Sequence, residues 1–445
     1  MDYRQAIDYL DRHVNLEARA GAVEGLSLEP IERLMTVLGD PQRAYPVIHV
    51  TGTNGKGSVG RMVSALLRAH ELSVGTYSSP HLEVVNERLC RDLEPIADDD
   101  LAALLTEVAD LEPLAGVSAS YFEVLTAAAL SWFAEIAVDV AVVEVGLLGR
   151  FDATNVVDAD VAVITNIGRD HTDGVGDWRR KVAWEKAGII KPGSFVVVGE
   201  PDPVLRPVFE AEPHQALWGV PDDIEVLEDL GAVGGRLVTV RTPHGILDEL
   251  FVPAHGRHQA ANAALAVAAV EAFFDRPLDP DVARHGLAEL TLPGRFEILA
   301  RAPLVVIDGA HNPPGAAAAA ATFAEEFSVS GRRLLVVGML AGRDVTAMLD
   351  AFEVRHADLV VACAPDTPRA VPAEEVAAAA RALGAEVEVV PGVVDALERA
   401  LAVAGPDDAV LVTGSLYVAG AARRAMRPAR PCGVDGGSPR RERSA

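Results

Sequence analysis

Short runs of β-branched and other apolar residues recur along this chain, and helical stretches separate them. The strand-like runs include Val47 to Val50, Ser73 to Tyr77, Val138 to Val145, Val161 to Thr165 and Ser194 to Gly199, with helical stretches such as Leu101 to Leu111 and Glu123 to Ile136 between several of them. Strands that are apolar throughout are buried on both faces, and strands joined through helices run parallel. The alternation therefore predicts an α/β fold built on a mostly parallel sheet. Ahead of it, residues 1–45 read as amphipathic helices, with Ile31, Leu34, Met35 and Leu38 at helical spacing.

From about 217 to 254 the pattern changes to short β-like pieces with Gly231, Gly234, Gly235 and the turn Pro243-His244-Gly245. This stretch reads as a small antiparallel excursion. A helix from His258 to Phe274 follows, and then Leu292-Pro293-Gly294-Arg295-Phe296 interrupts the periodicity. A second alternation starts at Leu304 to Ile307 and continues through Leu334 to Gly338, Leu359 to Ala362, Val387 to Val390 and Ala409 to Thr413. The expected domains are 1–293, with the N-terminal helices, and 294–428, a smaller doubly wound, Rossmann-like unit. Residues 429–445 read as a disordered tail.

The first strand leads directly into Thr51-Gly52-Thr53-Asn54-Gly55-Lys56-Gly57-Ser58 and an apolar helix. A strand, a glycine-rich turn and a helix start form a phosphate cradle of the P-loop type. Glycines let backbone N–H groups turn inward, the helix N-terminus adds partial positive charge, and Lys56 supplies a full one. The general pattern would place glycine at Val50 and Ser or Thr at Gly57. Focused donors matter here because the 445-residue chain carries a formal net charge of −26. That charge argues against nucleic acid and anionic membrane as partners. No apolar run reaches the roughly 18–20 residues that cross a bilayer, and no signal peptide is visible. Cys90, Cys363 and Cys432 form neither a metal spacing nor a disulfide framework, so a cytoplasmic location is expected.

The loop resembles that of the folylpolyglutamate synthase/dihydrofolate synthase family of the Mur ligase superfamily. Further segments agree in order: Ser78-Ser79-Pro80-His81-Leu82 with Asn86-Glu87-Arg88, Tyr121-Phe122-Glu123, Glu144-Val145-Gly146 with Asp152-Ala153-Thr154-Asn155, Asp170-His171-Thr172, Glu185-Lys186-Ala187-Gly188-Ile189, Leu292-Pro293-Gly294-Arg295-Phe296 and Asp308-Gly309-Ala310-His311-Asn312-Pro313. The resemblance implies an ATP- and Mg2+-dependent ligase that joins L-glutamate to dihydropteroate or a reduced folate through an acyl phosphate. It further implies loop residues 52–58 on ATP; Ser79, Glu144, His171 and a carbamylated Lys186 on two Mg2+ ions; and Asn262 on the adenine side. Arg295 would reach the phosphates, Asp308 and His311 would meet ATP and glutamate, and Pro80, His81, Tyr121 and Phe122 would line the folate side. Lys56, Lys186, His171, Arg295, Asp308 and His311 are the catalytic candidates in a protein expected to act as a monomer.

Three positions depart from the family pattern. Leu148 replaces a glycine beside Glu144, Arg343 stands where a lysine precedes the aspartate, and Trp184 stands where an arginine is common. Two alternatives stay open: a related ligase for another acid or amino acid, and a catalytically weak nucleotide-binding homologue.

Overall fold

The computed structural model describes residues 1–15, 27–169 and 176–427. The expected tail and the Asp170-His171-Thr172 segment lie outside the described residues. The strands are β1 (Val47–Thr51), β2 (Val74–Tyr77), β3 (Leu89–Arg91), β4 (Glu94–Pro95), β5 (Val140–Glu144), β6 (Val161–Ile164), β7 (Phe195–Val198) and β8 (Ala216–Gly219), followed by β9 (Glu225–Ala232), β10 (Gly235–Thr242) and β11 (Gly245–Val252). After them come β12 (Glu297–Arg301), β13 (Leu304–Ile307), β14 (Arg333–Val337), β15 (Leu359–Ala364), β16 (Val387–Gly392) and β17 (Ala409–Thr413).

The first eight form one sheet in the order β4-β3-β2-β5-β1-β6-β7-β8. In that order every pairing from β2 to β8 is parallel, and only the β2–β3 and β3–β4 pairings are antiparallel. Strand β1 lies between β5 and β6, and all five of its residues are buried. That explains why Val47, Ile48 and Val50 show no apolar/polar alternation. Helices Lys56–Ala69 and Arg257–Phe274 cover one face with Val59, Met62, Leu66 and Val267. Helix Tyr121–Glu135 and the N-terminal helices cover the other with Leu125, Phe133, Leu34 and Met35. Ser120 and Glu123 start helix Tyr121–Glu135 as a capping box: Glu123 Oε2 accepts from Ser120 N at 2.7 Å and Ser120 Oγ from Glu123 N at 3.3 Å.

The antiparallel excursion consists of β9, β10 and β11. It begins later than the sequence pattern suggests, because β8 pairs parallel with β7 as the edge of the main sheet. The small sheet packs Val238, Val240, Leu250 and Val252 into the same core as the covering helices. The last six strands form a second sheet, β12-β13-β17-β14-β15-β16, in which only β12 is antiparallel. Leu292 belongs to the first core and Phe296 to the second.

Two polar clamps join the halves. Glu326 on helix Pro313–Glu326 accepts from Arg236 of β10, from Gly256 N at 2.8 Å and from His255 Nδ1 at 2.9 Å. Arg423 on helix Leu416–Met426 pairs with Glu83 and with Glu297. Arg236 and Glu83 are both nearly enclosed, so these pairs resist screening better than surface pairs.

His49 on β1 is fully buried. Its Nε2 lies 2.9 Å from Thr154 Oγ1. Thr154 already donates its hydroxyl to Asp152, so His49 Nε2 is the donor. Burial, reinforced by the charge of Lys191, pushes the imidazole pKa down to about 3 from 6.5. A depressed histidine is neutral when folded. Its stabilising contribution is complete above the ordinary value and is lost as pH falls toward the folded value. His49 therefore adds a slope of about 1.4 kcal/mol per pH unit over that window. His49→Gln keeps a donor without titrating, so urea midpoints should fall less steeply between pH 6.5 and 4 than in the wild type. Parallel slopes would exclude the role.

Candidate active site

Strand β1 ends in a turn that β6 holds from the side. Thr53 N donates to Asn166 O at 3.1 Å, Asn54 N to Asn166 Oδ1 at 3.0 Å, and Thr165 Oγ1 to Asn54 O at 2.6 Å. A Cβ on Gly52 would lie 1.8 Å from Thr165 Oγ1, and one on Gly55, at φ +85°, would lie 2.5 Å from Asn262 Oδ1. Both positions need glycine for close approach. Helix Lys56–Ala69 starts at Gly55 with no side-chain cap. Its first N–H groups face the cavity without a side chain to satisfy them, an arrangement that suits phosphate oxygens. Lys56 Nζ donates back to Gly52 O at 3.1 Å and lies at the cavity wall.

The cavity holds about 650 Å3 and takes its walls from both halves of the chain. Thr53, Asn54, Gly55, Lys56, Gly57, Ser58, Ser79, Pro80, Phe122, Glu144 and Asn262 line it from the first half; Arg295, Asp308 and His311 line it from the second. The C-terminal ends of β5 and β13 deliver Glu144 and Asp308, as open α/β sheets deliver ligand-binding groups at that edge.

Glu144 is buried, and its Oε2 accepts from Ser79 N at 3.2 Å and lies over Gly57. Burial pushes its pKa up, while Lys56, the Ser79 N–H, Arg295 and Arg88 pull it down. A buried carboxylate whose charge is costly, beside a phosphate cradle, fits a divalent cation with oxygen ligands. Ser79 and Glu144 would hold such an ion. Among the described residues no three His, Cys, Asp or Glu side chains cluster as a complete metal set; His171 lies outside them. Asp308 is also buried and pushed up by that burial; Arg295 and the N–H groups of Ala310, Phe296 and Gly309 oppose the shift. Burial and the Arg295 charge push His258 down to about 4, so it stands neutral beside the cavity. Arg295 thus acts on Glu144, Asp308 and His258 at once. His311 Nδ1 donates to Gly309 O at 3.0 Å.

Not every expected residue reaches the wall. Gly52 does not line the cavity. Tyr121 and His81 do not line the cavity and are joined through buried Arg88: its Nε donates to His81 Nδ1 at 3.0 Å, and its guanidinium lies 5.6 Å from the Tyr121 ring centroid. Lys186 is buried at the end of helix Trp178–Ala187, with its Cα 3.2 Å from where a Cβ on Gly149 would sit. Asn262 lies against Gly55 and donates to Gln259 Oε1 at 3.0 Å.

The sequence reading left out several groups at this site. Asp152, Asn166, His258, Arg369 and Ser415 line the cavity. Asn312 makes a reciprocal amide pair with the phosphate loop: Asn312 Nδ2 donates to Asn54 Oδ1 at 2.8 Å and Asn54 Nδ2 to Asn312 Oδ1 at 3.3 Å. Asn312 Oδ1 also caps helix Pro313–Glu326 through Gly315 N at 2.9 Å. Asp152 and Asn312 stood inside quoted motifs, and strand ends were the available signal for Asn166 and Ser415.

Residues 50–270 match the Mur ligase middle domain, and residues 294–416 match the Mur ligase glutamate ligase domain. Together with the cavity they enclose, these domains make the chain an ATP-dependent acid–amino-acid ligase of the Mur type. It is 42% identical over 438 residues to the dihydrofolate synthase/folylpolyglutamate synthase of Mycobacterium tuberculosis, covering 89% of each chain. The structure of the Mycobacterium tuberculosis folylpolyglutamate synthase complexed with ADP superposes with a TM-score of 0.89 at 39% identity, over 95% of this chain and 98% of that one. A bifunctional folylpolyglutamate synthase/dihydrofolate synthase with Mn, AMPPNP and L-glutamate bound gives 0.83 at 30% identity, over 96% and 98%. This chain belongs to the folylpolyglutamate synthase/dihydrofolate synthase family.

Leu148 occupies the left-handed region at φ 60°. Its carbonyl accepts from Thr51 Oγ1 at 2.6 Å, and the preceding Leu147 N donates to Asp152 Oδ2 at 2.8 Å. The family glycine thus marks a real backbone need, which Leu148 meets at a cost of about 1–2 kcal/mol. Glycine would relieve that strain but lose about 0.5–1 kcal/mol to chain entropy. Leu148→Gly should therefore raise the thermal midpoint slightly, whereas Leu148→Val, β-branched and worse in this region, should lower it. The reverse ranking in calorimetry would refute the strain.

Proposed function

We propose that this enzyme ligates L-glutamate to dihydropteroate and to reduced folates, using ATP and Mg2+. The observation that carries the reading is the meeting of Lys56, buried Glu144 and Arg295 in a cavity shared by the two halves. The loop N–H groups and Lys56 hold the triphosphate. A carboxylate oxygen of the acceptor attacks the γ-phosphorus, the bond to the β,γ-bridging oxygen breaks, and ADP leaves. The glutamate amine then adds to the acyl carbon and phosphate departs. Arg295, reaching across from the second half, neutralises charge as it shifts between phosphate and acyl oxygens. Because its guanidinium comes to the shared cavity from the second half, closure and charge delivery are one event.

Ser79, Glu144 and His171 serve as ligands for one Mg2+, and carbamylated Lys186 for a second. Bound there, magnesium supplies charge neutralisation and alignment of the phosphate oxygens. Lys186 stands buried at the end of helix Trp178–Ala187, and its carbamylation would turn a cation into an anion able to hold a metal ion. Asn262 works on the adenine side, while Asp308 and His311 hold ATP and the incoming glutamate. Pro80 and Phe122 face the acceptor, and His81 and Tyr121, their neighbours in the chain, are joined by Arg88. The division at 293/294 separates the nucleotide-holding unit from the glutamate unit. Both walls of the cavity come from one chain, which supports a monomeric enzyme.

Glutamate-dependent phosphate release should occur with dihydropteroate and with a reduced folate; silence with both acceptors would overturn the reading. Lys56→Ala and Glu144→Gln should each lower kcat by about 10^2-fold or more, and Arg295→Ala should do so while the protein still folds. Lys186→Ala should lose most turnover and regain part of it with added short carboxylates.

A further inference from the structure

Helix Pro313–Glu326 touches the first half at both of its ends. One face of it, with Pro314, Gly315, Ala318 and Ala319, lines the main cavity. At its end, Glu326 accepts from Gly256 N at 2.8 Å. Gly256 opens helix Arg257–Phe274, which presents His258 and Asn262 to the same cavity. At its start, Asn312 meets Asn54 of the phosphate loop. The helix of 14 residues spans about 21 Å between these two contacts.

At the start, the cap dictates which way the amide faces. Asn312 is buried, and its Oδ1 accepts from Gly315 N at 2.9 Å. That bond fixes which end of the amide is oxygen, so Nδ2 is the group turned to the loop, where it donates to Asn54 Oδ1 at 2.8 Å. Asn54 Nδ2 returns a bond to Asn312 Oδ1 at 3.3 Å. On Asn54 the backbone and the side chain have separate tasks. Its N–H donates to Asn166 Oδ1, and its carbonyl accepts from Thr165 Oγ1 and Asn166 Nδ2, all within the first half. Its side chain makes its bonds to the second half.

The two ends differ in strength. Glu326 also takes Arg236 and His255, and bonds to a charged group are about twice as strong as neutral ones. The Glu326 end therefore anchors the helix, and the neutral amide pair sets its direction. A tilt of roughly 3° about the anchor moves the other end by about 1 Å over this length. Misplacement on that scale can lower a rate by about 10^2-fold. Asp308 and His311 stand on the short loop between β13 and Asn312, and both line the cavity. We propose that Asn312 is a positioning residue: through Asn54 it seats the Asp308–His311 loop against the phosphate loop, so that groups from the two halves meet the triphosphate in one register. The effect on turnover rests on the ligase reading above, which gives Asp308 and His311 their roles.

Steady-state kinetics and amide hydrogen exchange on the full chain test this. Serine caps a helix as well as asparagine does but is too short to reach the loop, so Asn312→Ser keeps the fold. Asn312→Ser and Asn54→Ser should each lower kcat about tenfold, what two ordinary hydrogen bonds contribute. KM for ATP should stay within about threefold, because the loop N–H groups and Lys56 remain. The double variant should lose no more than the worse single one, since both remove the same pair. With Mg2+ and AMPPNP present, amides from 308 to 316 should exchange about tenfold faster in Asn54→Ser than in the wild type, although the substitution lies in the other half. Wild-type kcat in either single variant, a double whose loss is the product of the singles, or unchanged exchange over 308–316 overturns the positioning role. The exchange measurement needs no folate. A wild-type enzyme idle with every acceptor therefore removes the ligase reading, while exchange alone still decides the amide pair.

Discussion

The site depends on how the chain turns at the end of β1. Gly52 and Gly55 allow the turn, but hydrogen bonds from Thr165 and Asn166, just beyond β6, give it its shape. A parallel sheet makes this possible, because neighbouring strands end at the same edge and can support one another's loops. The helix that follows begins uncapped at this edge. Its unsatisfied N–H groups and Lys56 concentrate positive potential at one point of a protein whose net charge is −26. Glu144 and Asp308 are buried carboxylates that the same local cations make tolerable.

The second half contributes to this centre through few, specific contacts. Asn312 bonds the phosphate loop while capping its own helix, so loop position and domain position are mechanically linked. Arg295 follows Gly294, whose carbonyl accepts from Gly309 N at 2.9 Å, and this holds the crossing segment against the start of the second sheet. The Glu326 and Glu83 clamps lie at other points of the same interface and limit how the halves can turn. Catalytic charge and domain geometry are therefore set by one network.

Much of the architecture was legible because buried parallel strands leave a strong trace. The runs at Val47, Val161 and Leu334 matched strands β1, β6 and β14 closely. What escaped was short or marginal. Strand β4 has two residues and β3 three, too few to show a period, and β12 ends in an exposed arginine. The stretch at 217 carried the turn-rich look of the excursion, yet β8 joins the parallel sheet because β7 lay beside it. Tyr121 and His81 show the limit of motif reading: a motif says which residues travel together, while packing against Arg88 decides which of them face the cavity.

The sequence by itself determined the strand–turn–helix cradle, the alternation behind both sheets, and the identity of the charged groups. These follow from local conformation and from the periodicity of burial, which act over a few residues. Only the tertiary structure decided that Leu148 takes a left-handed conformation, that His49 is a neutral donor in the core, and that Arg295 stands among Glu144, Asp308 and His258. Each of those depends on partners distant in the chain, whose distance and dielectric surroundings exist only once the sheets have packed.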